Sequence, residues 1–149
     1  MKMEKVKDFI KKELEQYFVV NDRIYLGSTD YKDKKNNGIT ASKDIHEEIS
    51  EKVKRKFGLK AGEIEDNRLE IDLWDGEKRV AYELVLGNGE EFWKDVLKAL
   101  KFEAKKLVIF CRNYPDKYVN GYKAIESFYK SIESFLKGKL EVEIECVNP

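Results

Sequence analysis

Glu83 constrains the fold of this chain more than any other residue. It sits in the middle of Val80-Ala81-Tyr82-Glu83-Leu84-Val85-Leu86, a run that otherwise reads as a buried strand. An unpaired charge is costly to bury, so a fold that uses this strand must bring Glu83 a partner. Just upstream, Arg68-Leu69-Glu70-Ile71-Asp72-Leu73-Trp74 is a second strand-like segment, and Asp75-Gly76 lies between the two. That dipeptide is a strong hairpin signal. A two-residue turn there pairs Trp74 with Glu77, Asp72 with Arg79 and Glu70 with Ala81. Side chains alternate along strands, so Asp72, Ala81, Glu83 and Val85 share one sheet face. A loop lengthened symmetrically, to Asp75 through Lys78, keeps both acids on that face. Two carboxylates converging on an otherwise apolar sheet point to a divalent-metal site.

The rest of the chain supplies the layers around such a hairpin. A first helix is predicted from about Glu4 to Tyr17, with Val6, Ile10, Leu14 and Tyr17 as its apolar stripe. Phe18 to Gly27 has room for a short strand or two, and Ser28 through Ala41 reads as a polar loop. A second helix is predicted over Asp44 to Phe57, with Ile45, Ile49, Val53 and Phe57 inward and Gly58 ending it. Its opening Asp44-Ile45-His46-Glu47 has the form of a capping box, and His46 falls toward the apolar side. After the hairpin, Gly87-Asn88-Gly89 leads into a helix from about Glu90 to Lys105. Leu107 to Cys111 is a continuous apolar run that suits a strand buried on both faces, making a βαβ unit. Asn113 to Gly121 is a loop, and a final helix runs to about Lys137, stopped by Gly138. The last strand alternates Leu140, Val142, Ile144 and Cys146 against Glu141, Glu143 and Glu145. The pattern predicts an α/β fold, a mixed sheet flanked by helices, and 149 residues fit one domain.

Composition narrows the function classes. The 42% of hydrophobic residues suffice for one core, while the 39% that are charged are mostly Lys and Glu, the bias of thermophilic proteins. A formal net charge of +0 excludes a uniformly basic nucleic-acid coat, so any such contact needs a local patch. Cys111 and Cys146 read as reduced core thiols of a cytoplasmic protein, with a cross-strand disulfide as the alternative. No apolar stretch approaches the ~20 residues of a membrane span. Met1 to Lys5 leads directly into a charged helix and does not read as a signal peptide.

In order, the chain offers a helix carrying Glu47, a hairpin bearing Asp72 and Glu83, a helix and a buried strand. That series resembles the core of the PD-(D/E)XK, or restriction-endonuclease-like, nuclease superfamily. The matching residues are Arg68 to Trp74, then Tyr82-Glu83-Leu84-Val85, then the helix through Trp93-Lys94-Asp95-Val96-Leu97-Lys98-Ala99-Leu100. The resemblance implies a nuclease-like core over residues 42–112, with 1–41 and 113–149 as additions. It implies Mg²⁺ (or Mn²⁺) held by Asp72, Glu83 and the Leu84 carbonyl, with Glu47 or Glu48 joining from the preceding helix. DNA is then the substrate, and a homodimer is the implied assembly.

One departure stands out: the superfamily's motif lysine, two residues after the Glu, is Val85 here. Lys94 and Lys98 on the next helix are the candidates to replace it. Lys94, Lys98, Lys101 and Lys105 recur at helical spacing, which suits a solvated face or a row of phosphate contacts. Glu90 and Glu91 argue against a phosphate cradle at Gly87-Asn88-Gly89. Three functions follow: a metal-dependent DNA endonuclease, an inactive nuclease-like module binding nucleic acid or a protein partner, or an assembly protein whose Asp72 and Glu83 merely pair with Arg68 and Arg79.

Overall fold

The computed structural model describes residues 2–20, 24–25, 40–64, 69–86, 91–111 and 121–147. Arg68 and the loops expected around Ser28, Gly87 and Asn113 lie outside them. The chain divides into two compact units, Met1–Gly58 with Val147–Pro149, and Leu59–Cys146. The helix that the sequence grouped with the hairpin therefore belongs to the first unit.

That first unit holds α1 (Lys2–Val20), β1 (Ile24–Tyr25), β2 (Thr40–Ala41) and α2 (Ser42–Phe57), with the two short strands paired in parallel. Val6, Ile10 and Leu14 of α1 and Ile49 and Val53 of α2 are fully buried, as their three- and four-residue spacing requires. Phe9 meets Phe57 edge-on at 5.7 Å, and Lys52 Nζ lies 3.1 Å from Glu13 Oε2 between the helices. Gly58, at φ 70°, ends α2 in the left-handed region.

The second unit is built on a five-stranded sheet ordered β3 (Lys60–Ile64), β4 (Leu69–Asp75), β5 (Val80–Val85), β6 (Lys106–Cys111) and β7 (Glu141–Cys146). β3, β4 and β5 are antiparallel neighbours; β5, β6 and β7 run parallel, so the sheet is mixed. Helix α3 (Glu91–Lys101) crosses from β5 to β6, and α4 (Gly121–Leu136) from β6 to β7. Both crossovers step the same way, and Phe92, Val96 and Ala99 of α3 share one core with Ile125 and Leu136 of α4. The two connections therefore have the same hand. Ala81, Val85, Leu107, Ile109 and Cys111 supply the sheet side of that core. On the other face Tyr82, Val108 and Phe110 are also fully buried, so the central strands are buried on both sides.

Three details depart from the sequence reading. β3 was not expected: Lys60-Ala-Gly-Glu-Ile is short and contains a glycine, a poor strand signal. The hairpin loop is the four residues Gly76 to Arg79, as long as the longer expected form but shifted one residue along the chain, because Asp75 pairs with Val80 and Trp74 with Ala81. Gly76 is outside the left-handed region, so no two-residue turn forms. Instead the Asp75 carboxylate accepts the Lys78 N–H at 3.1 Å, and Arg79 closes the loop at φ 60°. Helix α3 also stops at Lys101, four residues early. Ala104 N–H donates to the Ala99 carbonyl and Glu103 N–H to the Leu100 carbonyl, with Glu103 left-handed at φ 56°. That pattern is a Schellman cap with glutamate where glycine is usual. The Arg79 guanidinium braces it by donating to the Glu103 carbonyl. Among the described residues, no helix is long and apolar enough to cross a membrane.

Candidate functional site

The hairpin and α3 bring four ionisable side chains together: Asp72 from β4, Glu83 from β5, and Asp95 and Lys98 from α3. The expected and observed registers differ by an even number of residues at each partner, so Glu83 keeps its face. The β4–β5 pairing ends at Leu73↔Tyr82, and just beyond it the Asp72 and Glu83 carboxyl groups meet through a hydrogen bond. β4 carries an irregularity here. Between the pairs Lys60↔Trp74 and Gly62↔Ile71, β4 advances three residues while β3 advances two. Ile71 and Trp74, three positions apart, both pack on the same core, which strict alternation forbids and a bulge at Asp72-Leu73 explains. Asp72 Oδ2 accepts the Leu84 backbone N–H at 3.0 Å, anchoring one carboxylate to the strand that bears the other.

Lys98 is the cation of this group. Its Nζ lies 3.0 Å from Glu83 Oε1, 3.2 Å from Asp95 Oδ1, and donates to the Glu70 carbonyl at 2.8 Å. Glu83, Asp95 and Lys98 are 2%, 3% and 6% exposed, so the charges interact through protein rather than water. The Lys98 ammonium is the charged partner of Glu83 Oε1.

Among the described residues, three carboxylates gather around one ammonium. Burial above all, then the neighbouring charges of Asp72 and Asp95 and a hydrogen bond with Asp72, push the Glu83 carboxyl well above the carboxylate range; Lys98 opposes them. Burial likewise pushes the Asp95 carboxyl up to about 7 against the pull of Lys98. Burial works against the Lys98 charge, but Glu83 and Asp95 outweigh it and the ammonium pKa ends above its ordinary value. The cluster thus favours the charged form of its lysine and the protonated forms of Glu83 and Asp95.

Several sequence-predicted residues fall elsewhere. Lys98 is buried in the cluster and is not part of a solvated phosphate row; Lys94, Lys101 and Lys105 are exposed, and Lys105 lies beyond the helix end. Arg79 pairs with Glu103 at 3.8 Å, not with Glu83. Glu47 and Glu48 are exposed on α2 of the first unit, and His46 is half-buried there. Val85 is a core residue. Glu70 turns its side chain to solvent and contributes only its carbonyl. Asp95 was missed, although it lies at core-facing spacing between Phe92 and Ala99, where a carboxylate needs a reason.

Among the described residues, no group of three or more His, Cys, Asp or Glu is arranged to hold a metal ion. The donors still suit a hard cation. Mg²⁺ commonly uses one or two carboxylates and completes its shell with water and phosphate, and Asp72 and Glu83 supply two adjoining ones. A surface cavity of about 860 Å³, bordered by Lys105, Tyr129, Glu133, Lys137 and Glu141, is separate: no member of the cluster lines it. No protein-family model, curated protein or solved structure matches the chain.

Proposed function

We propose that the chain is a metal-dependent DNA endonuclease with a restriction-endonuclease-like core, in which Lys98 replaces the missing motif lysine. The observation that carries this reading is the Lys98 ammonium at 3.0 Å from Glu83, on the face where Asp72 and Glu83 meet. Asp72 and Glu83, with the Leu84 carbonyl, would hold Mg²⁺ or Mn²⁺. When bound, that ion would polarise the phosphate and lower the pKa of an attacking water. Lys98 stays protonated among carboxylates, so it acts as a donor to developing negative charge and not as a base. Exposed Lys94 and Lys101 are left to contact phosphates.

Nicking of supercoiled plasmid by the pure protein with Mg²⁺ or Mn²⁺ is the direct test. Loss of nicking in Asp72→Ala and Glu83→Ala proteins supports the proposal; nicking unchanged in both ends it. A second reading, a nuclease-like module that binds nucleic acid without cutting, is favoured by the deep burial of Glu83 beside its lysine. It predicts salt-dependent DNA binding that weakens when Lys94 and Lys101 are neutralised, with no nicking under any metal.

A further inference from the structure

Lys98 has two carboxylate partners, and they are not equivalent. Glu83 lies across from Asp72 and also meets that second acid, whereas Asp95 sits three residues before Lys98 on the same helix, one turn away. A divalent ion at Asp72 and Glu83 would draw Glu83 away from the lysine and repel the ammonium. Asp95 and the Glu70 carbonyl at 2.8 Å would then be the contacts left to Lys98.

We propose that Asp95 is a positioning residue: it holds the Lys98 ammonium at the site and lessens that ammonium's grip on Glu83, so that a divalent ion competes with the lysine instead of being excluded by it. This rests on the nuclease reading above. Asp95 is buried, and among the described residues its ion pair is with Lys98 of its own helix; a carboxylate costs more than an apolar residue at a core-facing position, so packing alone does not account for it.

Calorimetric titration with Mn²⁺ of the wild type, Asp95→Asn, Lys98→Met and the double variant tests the idea without measuring activity. Asp95→Asn leaves Lys98 with Glu83 as its one ion-pair partner among the described residues, so Mn²⁺ affinity falls about tenfold, within the coupling expected of contacting residues. Lys98→Met removes the competitor and tightens binding. In the Lys98→Met background Asp95→Asn then has little further effect. An equal loss in both backgrounds overturns the inference, because Asp95 would be acting on the ion directly. An unchanged affinity in Asp95→Asn with only a lower melting temperature also overturns it, since a packing role would do that. Absence of Mn²⁺ binding in wild type and Lys98→Met alike removes the nuclease reading and this inference together. If Asp95→Asn does not fold, the wild type still decides. A slowly exchanging Lys98 Nζ–H signal in NMR spectra should persist on adding Mg²⁺, and its disappearance overturns the role of Asp95.

Discussion

Among the described residues of the second unit, Lys98 and Lys106 meet buried or half-buried carboxylates in different ways. Lys106 Nζ lies 3.1 Å from Glu143 Oε1, one ammonium beside one carboxylate, on neighbouring strands whose side chains still reach water. Lys98 lies 3.0 Å from Glu83 and 3.2 Å from Asp95 with water largely excluded, and Asp72 adds a third acid. The first sets one carboxylate against one ammonium; the second gathers three acids around one ammonium among the described residues, and raised carboxyl pKa values limit the charge that results. The proposed cation site would make use of that excess of acids.

The comparison breaks most readily at Lys98. Lys98→Met leaves three acids facing one another without a cation, and we expect a loss of about 3 kcal/mol at pH 7 by denaturant unfolding. A loss no greater than that of Lys106→Met would make the two contacts alike. Next in size is the pH dependence. Asp95 titrates near 4 when unfolded but is pushed up to about 7 in the fold, and Glu83 moves the same way. The folded state therefore holds these protons more tightly than the unfolded chain. The stability they confer is full below about pH 4 and disappears as pH rises toward 7. We expect the wild-type melting temperature, relative to that of Glu83→Gln, to fall between pH 5 and 8, and a constant difference would contradict the surplus charge. Glu83→Gln itself, an uncharged isostere, should stabilise the metal-free protein at pH 8 by about 1 kcal/mol while abolishing plasmid nicking. The smallest effect belongs to Lys106→Met, which we expect to cost roughly 1 kcal/mol or less, diminishing in high salt.

How far the sequence carried depends on the residue. The face of Glu83 followed from alternation, because the expected registers differ from the observed one by an even number of residues; the meeting of Asp72 with Glu83 came about despite the bulge that turns Ile71 and Trp74 to the same core. The double burial of Leu107 to Cys111 and the Gly138 stop after α4 were written in apolar continuity and in a glycine now at φ 80°. The bulge at Asp72-Leu73 was not readable, since it is set by pairing with β3, a strand with almost no pattern of its own. Lys98 was nominated as a stand-in for Val85, yet it was also assigned to a solvated stripe, because helical spacing does not say how far a long side chain bends. Asp95 had a usable signal, an acid at core-facing spacing on an apolar helix, and it was passed over because the lysines around it were more numerous.

All four members of the cluster come from one uninterrupted stretch of chain, Asp72 to Lys98, comprising a hairpin and the helix that follows it. Contacts of such short sequence separation close early in folding, ahead of the long return that brings β7 beside β6. The acids and their lysine would therefore meet while the sheet is still growing. Lesions in α4 or β7 should slow completion of the domain without changing how this group assembles.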